Sequence, residues 1–548
     1  MGTDLAVPEA ALAQGEWALA RAGFEAALAV DETPEALDGL GRALWWLAEP
    51  VEAISLRERA TALYRRQGDA RAAVRLALWL SREYRAVHGN HPAADGWHAR
   101  AERDLASIPE GPEHGWLLLT QAELQHDPAR VASLAAEALR LAAEYDDPDL
   151  QIRALSKLGH AEVSRGCVAE GMRHIDEAMA TVTSGEAASP ETVGETMCQM
   201  FAAVELASDR ARMRDWSDVA TAYMARHSHG SLIAFCSACC AEMLIGAGKV
   251  EAAEKELSGA LRRLTRKGHL ARCVHPAGRL AELRALQGRF EEAARLLEGF
   301  EDVPETVAPR ATLAIAAGDL DLAAHLVERE LVGLGRDSLL SVPHLSRLVE
   351  IRVAQGDLVA ARAVASRLAA VAHAAGIPRL DGEARRAEGR VALAAGEQEA
   401  LSLLADAVES FVAARLPIDA ARARLLRAEA SADSLPVAAL GDAQAALKTF
   451  ESVGAVVEAD AAAAVVRRLG GPARTGPKGY GQLSRREQEV LDLLSDGLTN
   501  AEIAARLFIS VKTAGNHVSS ILSKLGLRSR GEAAVYAVRS KPGHVGPI

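Results

Sequence analysis

Three stretches of this 548-residue sequence place polar side chains at spacings that could do chemistry. The first is TNAEIAARLFISVKTAGNHV, residues 499–518. Thr499 and Asn500 open one short helical pattern there. Lys512, Thr513, Gly515, Asn516, Ser519, Ser520 and Ser523 share the outward face of a second, which runs on to Leu525. Ala514, Val518, Ile521, Leu522 and Leu525 form its apolar stripe, and Lys512 and Lys524 flank the polar face. Small hydrogen-bonding side chains between two lysines suit base edges and phosphates in a major groove. The amide end of the helix opened by Thr499 and Asn500 suits a backbone phosphate.

The other two stretches fail on inspection. GAGKV (246–250) has the look of a phosphate-binding loop, but that motif needs glycine where Met243 stands and a hydroxyl where Val250 stands. His227, His229, Cys236, Cys239 and Cys240 lie close enough for a zinc site, yet the cysteines fall on a helical segment, SLIAFCSACCAEML, where cysteine packs as a small apolar residue. No serine–histidine–aspartate set or paired carboxylates stand out from the solvated helix charges. No catalytic residue, metal or cofactor is assigned, and no enzyme is expected.

Four helices must position the first stretch. LSRREQEVLDLLSDGLTNAEIAARLFISVKTAGNHVSSILSKLGLRSRGEAAVYAVRS carries a hydroxyl three residues before glutamate at Ser484/Glu487, Thr499/Glu502 and Ser529/Glu532, the signature of a capping box. Ser510 with Thr513 starts the remaining helix, and Gly497 and Gly526 close the first and third. Val490, Leu491, Leu494, Ile503, Ala504, Leu507, Val518, Ile521, Leu522, Leu525, Ala533 and Ala534 supply a compact core. The helices over 499–507 and 510–525, joined by Phe508 and Ile509, read as a helix-turn-helix spanning Thr499 to Val518.

Over about residues 479–544 the motifs LSRREQEVL, TNAEIAARLFIS, VKTAGNHVSSILSKLG and RSRGEAA resemble the LuxR-type (NarL/FixJ-type) DNA-binding domain. The resemblance implies transcription regulation, binding to double-stranded DNA as a homodimer on paired half-sites, and a last helix near 529–540 used for dimerisation. It carries the site over to Thr499, Asn500, Lys512, Thr513, Gly515, Asn516, Ser519 and Lys524. Two positions depart from the family: Ala514 and Gly515 stand where valine and a basic or polar residue are usual. The base-reading positions map onto Gly515, Asn516 and Ser519, none of them charged. Gly515 costs the helix about 1 kcal/mol relative to alanine.

The rest of the chain reads as helical repeats. Apolar residues recur at helical spacing, and glycine is followed five residues on by alanine at Gly15/Ala20, Gly68/Ala73, Gly248/Ala253, Gly288/Ala293, Gly318/Ala323 and Gly356/Ala361. Gly166/Gly171 and Gly396/Leu401 are relatives of the same phrase. Glycine takes the turn between two antiparallel helices without a Cβ penalty, and alanine lets the second helix come close. Small residues seven positions before some of these turns, Gly159 and Gly389, mark where the first helix is crossed. Generic hairpins would also need turn glycines, but one spacing repeated this often favours a solenoid. The pattern resembles the tetratricopeptide repeat, with a looser period. LPIDAARARLLRAEA (416–430) is similar to a phrase in the helical arms of large LuxR-family regulators. HGNHPAADG (88–96) and SGEAASPETVG (184–194) read as loops.

The expected fold is therefore all-α: a TPR-like α-solenoid over 1–469, a Gly/Pro-rich linker over 470–482, and a four-helix LuxR-type unit over 483–548. Charge agrees with this division. Between Lys478 and Lys541 ten Lys/Arg face six Asp/Glu, a net +4, within a chain of net −12. A small basic end on an acidic body suggests that the end alone meets a polyanion. The N-terminus has no signal-peptide pattern, no run of some 18 unbroken apolar residues occurs, and six cysteines make no disulfide framework. A cytoplasmic regulator with no membrane contact is expected, its array sensing a signal or binding a protein or peptide partner. The alternative is an interaction scaffold in which DNA binding is weak or vestigial.

Overall fold

The computed structural model describes residues 4–187, 189–227, 241–266, 271–301, 303–335, 338–472, 485–507, 509–525 and 529–540. Among them every regular element is helical and none is a strand. The fold is an array of antiparallel hairpins followed by a separate four-helix unit.

The hairpin joints follow from local backbone demands. Gly15, Gly68, Gly166, Gly248, Gly288, Gly318, Gly356 and Gly396 all take positive φ, between +70° and +85°. Five residues beyond six of them, Ala20, Ala73, Ala253, Ala293, Ala323 and Ala361 are each 0% exposed. Gly159 and Gly171 cross so closely that a Cβ on either would stand 2.5–2.6 Å from the other's carbonyl oxygen. At Gly389 a Cβ would meet Leu404 at 2.7 Å. The Gly396 phrase differs: its second helix starts at Ala400, which is buried, and Leu401 is half-buried.

Two expected loops shrink to short breaks. Helix Ala70–His88 gives way to His91–Leu105 across Gly89 and Asn90, and Asn90 accepts a hydrogen bond from the Ala93 amide. Helix Val168–Ser184 is followed by Pro190–Ala207, capped by Ser189. In both places a proline that read as a breaker sits in the first helical turn, where its missing N–H is not needed and its φ is already helical. Pro34, Pro50, Pro128, Pro148, Pro378 and Pro417 open array helices in the same way. Four of the described joints turn without glycine: Ala48, Asp146, Ser208 and Arg415 take positive φ.

Packing has no single centre. Apolar clusters succeed one another along the array, from the one holding Phe24, Leu37 and Leu80 to the one holding Leu257, Phe450 and Ala462. The first helices of successive hairpins touch and are cross-linked by ion pairs: Arg153 to Glu123 (3.1 Å) and Glu195 (3.4 Å), Arg279 to Glu205 (2.8 Å), Arg390 to Glu350 (3.1 Å), Arg422 to Glu458 (2.8 Å). Burial raises Glu350, but Arg390 and Arg347 outweigh it and hold the carboxyl down at about 2.

The array also returns on itself. Arg272 reaches Glu83 (3.4 Å), the Arg379 Nε donates to Ser208 Oγ (2.6 Å), and Arg210 Nη1 donates to the Arg415 carbonyl (3.1 Å), links across 189, 171 and 205 residues. Gly166 lies against Ala375, Gly248 against Pro417, and Gly288 against Val456. Successive turns of the superhelix therefore touch at the hairpin loops. One described helix, Leu358–Ala375, has the length and mean hydropathy (1.3) of a membrane span. It carries Arg362 and Arg367 and buries Ala361, Ala365, Leu368 and Val371 against its neighbours, as a hairpin helix does.

Candidate nucleic-acid interface

The four C-terminal helices are Arg485–Ser495, Asn500–Leu507, Val511–Leu525 and Arg530–Ser540. The first packs against the third and fourth, and the second against the third. Their core is Val490, Leu491, Leu494, Ile503, Ala504, Ala514, Val518, Ile521 and Ala533. Ala537 joins it, a position the sequence reading passed over, whereas Ala534 is half-buried.

Capping starts the second and third helices as expected. The Thr499 amide donates to Glu502 Oε2 (2.7 Å), and the Glu502 amide points back to Thr499 Oγ1 (3.4 Å). Hydrogen bonds from the Thr499 hydroxyl and amide lower the Glu502 pKa. Ser510 Oγ accepts from the Thr513 amide (3.0 Å). Gly497 closes the first helix at φ +79°. At the fourth helix the Glu532 amide donates to Ser529 Oγ (3.2 Å). Ser484, Phe508 and Gly526 lie outside the described residues.

The locked stripe of Ala514, Val518 and Ile521 turns the opposite side of the third helix outward. Lys512, Asn516 and Ser519 are exposed, and Thr513 and Gly515 are half-buried. A Cβ on Gly515 would meet Asn500 Nδ2 at 3.5 Å, so this glycine lets the second helix start close beside the third. Ser520 does not face outward freely: its hydroxyl donates to Glu487 Oε1 (2.6 Å), a carboxylate 5% exposed. The register that places Asn516 and Ser519 outward rotates Ser520 toward the first helix. The Lys524 and Ser523 side chains lie outside the described residues.

Thr499 is exposed, and Asn500 is half-buried. Asn500 Oδ1 accepts from Arg530 Nη1 (2.7 Å), and Arg530 Nη2 donates to the Leu498 carbonyl. Arg530 thus fixes the start of the second helix from the fourth. Arg486 does the same at its end, donating to the Leu507 carbonyl. Neither arginine was singled out from sequence, because no local spacing ties residue 530 to residue 498. Arg506, also unassigned, is exposed on the second helix.

The two rejected stretches fare differently. GAGKV is a hairpin turn: the amides of Gly248 and Lys249 donate to the carbonyls of Ile245 and Leu244 (2.8 Å each), and Pro417 closes over the glycine. Those amides are spent on the turn, leaving none to cradle a phosphate. The side chains of His227, His229, Cys236, Cys239 and Cys240 lie outside the described residues.

Residues 481–537 match the family model for bacterial regulatory proteins of the luxR family. The chain is 46% identical over 90 residues to the DNA-binding transcriptional activator DevR/DosR of Mycobacterium tuberculosis, covering 16% of this chain and 41% of that one. It is 50% identical over 58 residues to the transcriptional regulatory protein LiaR of Bacillus subtilis, covering 11% and 28%. The chain thus spans less than half the length of these relatives, and the matched part is the C-terminal unit. Among solved structures the APC/C hetero-tetramer Cut9–Hcn1 is similar at TM-score 0.47 and 10% identity, over 84% of this chain and 95% of that one. The C-terminal unit is a luxR-family helix-turn-helix domain.

Proposed function

We propose that the chain carrying this luxR-family domain is a cytoplasmic transcriptional regulator, with the helical array as its sensing or partner-binding arm. The observation that carries the reading is the exposed row Lys512, Asn516 and Ser519 on a helix whose other side is locked into a core. Such a helix enters a major groove as a rigid body, with Asn516 able to pair with an adenine edge and Lys512 with phosphate. Thr499, Thr513, Gly515 and the start of the second helix at Asn500 lie along the same approach, and Lys524 follows from the family motif. A homodimer on paired half-sites, joined through the Arg530–Ser540 helix where Tyr536 is 42% exposed, fits the family pattern.

Genome-wide mapping of DNA bound by the full chain tests this. Enrichment at paired half-sites is expected; uniform, unenriched DNA would favour a scaffold with vestigial DNA binding. That second reading draws on the uncharged Gly515, Asn516 and Ser519 at the base-reading positions. No catalytic role is proposed for any part of the chain.

A further inference from the structure

Near its N-terminal end the array encloses a cavity of about 190 Å³ between the first helices of successive hairpins. Arg57, Trp79, Arg82, Trp116 and Arg153 form much of its wall, with Leu78 as an apolar floor. Arg57 lies over the Trp79 ring at 3.9 Å, and Arg153 stands 5.9 Å from the Trp116 ring centre. The arginines are held from behind by carboxylates. Arg57 Nε donates to Asp38 (2.7 Å), Arg82 Nη2 to Glu191 (3.2 Å) and Arg153 Nη2 to Glu123 (3.1 Å).

That support leaves donors over. Arg57 Nη1, Arg82 Nε and Trp79 Nε1 are buried N–H groups with no hydrogen-bond acceptor. The carboxylate oxygens nearest the two arginine atoms stand at 3.9 Å (Glu191 from Arg57 Nη1) and 3.5 Å (Glu83 from Arg82 Nε). Arg57 and Trp79 are each 7% exposed, so bulk water does not satisfy these groups. Buried polar groups without partners weaken a fold, and where several converge on one cavity they mark a place built for an acceptor. Four arginines (Arg57, Arg75, Arg82, Arg153) face two carboxylates (Asp149, Glu191) on the wall, which favours an anion of low charge. The two carboxylates disfavour a dianion, and the indole rings favour a flat apolar body.

We propose that this cavity binds a small planar organic monoanion, a carboxylate carried on a ring. Its carboxylate takes the spare N–H groups of Arg57, Arg82 and Trp79, and its ring lies against Leu78 and the indoles. The assignment rests on reading the array as the sensing arm, and it names what that arm would sense. Arg82 neighbours Glu83, and Glu83 is the residue that Arg272 of the next superhelical turn reaches. The cavity therefore sits beside a contact between turns, where filling it bears on how the array closes.

The test is calorimetric titration of the full chain, without DNA, with benzoate and 1-naphthoate as probes, and with benzamide and inorganic phosphate as comparators. Saturable binding of at least one carboxylate is expected, with neither comparator competing. Arg57→Gln should weaken it about tenfold or more, the loss of one charged hydrogen bond. Trp79→Phe keeps the ring and removes only the N–H. It should weaken binding while leaving the melting curve of the chain in place, so that misfolding of the arginine variant leaves a second arm. The assignment is overturned by no binding of either carboxylate, by equal binding of benzamide, by phosphate in preference to carboxylate, or by full affinity in both variants. Because DNA is absent, failure here leaves the DNA-binding reading intact, and failure of DNA binding leaves this titration standing.

Discussion

The array and the C-terminal unit are both built of short helices, yet they are held together differently. The C-terminal unit closes on one core of buried apolar residues, and its helix starts are written as local caps. The array has no such centre. Its hairpins are joined by glycine–alanine crossings, and its turns are fastened by arginine–carboxylate pairs between residues far apart in sequence. A compact unit gains rigidity from shared burial. A solenoid gains it from a series of joints, each of which can yield separately.

The largest expected effect is that of acid, and it falls on the array. Burial, with Lys157, lowers His160 to about 4; burial, with Arg279, lowers His275 to about 3; burial, with Arg347 and Arg279, lowers His344 to about 4. Below pH 6.5 the unfolded chain takes up protons that these folded sites refuse, so stability is full above that value and drains away down to about pH 3–4. Each tenfold loss of proton affinity on folding is worth about 1.4 kcal/mol, so the three histidines together outweigh any single substitution below. Melting scans from pH 7 to pH 4 would show the array transition fall steadily; a flat profile would remove these histidines from the account.

A joint between turns comes next. Glu83 is fully buried, accepts from Trp45 Nε1 (3.0 Å) and stands 3.4–3.5 Å from Arg272 and Arg82. Glu83→Ala leaves these donors without their acceptor and should cost about 3–5 kcal/mol. Calorimetry of the full chain would show the array transition fall while the C-terminal one stays. A single coincident shift of both would mean that the two regions are not independent.

Overpacking a crossing comes third. Ala293 and Ala323 are 0% exposed, and Leu in place of either should cost the array about 1–3 kcal/mol. A melting curve like that of the parent would show the crossing to be elsewhere.

On the other side of the comparison, Asn516→Ala should lose about 1–3 kcal/mol of preference for the specific site over random duplex. Lys512→Ala should weaken both duplexes alike and lower the salt slope by about one. Competition at two salt concentrations separates the patterns, and equal losses for Asn516→Ala would remove it as a base reader. The smallest effect is a cap: Thr499→Ala should destabilise the C-terminal unit by about 1 kcal/mol and leave the array transition unmoved.

Legibility divides along the same line. The glycine joints, the caps at Thr499 and Ser510 and the buried stripe of the third C-terminal helix are demands that neighbouring residues place on one another, so type and spacing reveal them. The joints at Ala48, Asp146, Ser208 and Arg415 escaped because the packed helices on either side hold a side chain in a conformation glycine would take freely. Pro92 and Pro190 misled for a related reason: proline stops a helix from within and starts one from its first turn, and only the flanking Asn90 and Ser189 caps distinguish the two. At the DNA-facing site the exposed row was readable, whereas the Arg530 and Arg486 ties and the Glu487–Ser520 bond were not.

By itself, then, the sequence determined an all-helical chain, the hairpin joints marked by glycine, and a C-terminal helix-turn-helix with its outward row. These rest on backbone φ, on side-chain periodicity and on caps that act within a few residues. Tertiary structure alone decided that the superhelix closes turn on turn through contacts 171 to 205 residues apart, and that Arg57, Trp79 and Arg82 gather around one cavity. Such placements depend on the summed geometry of many helix crossings, each a small rotation that no local pattern records.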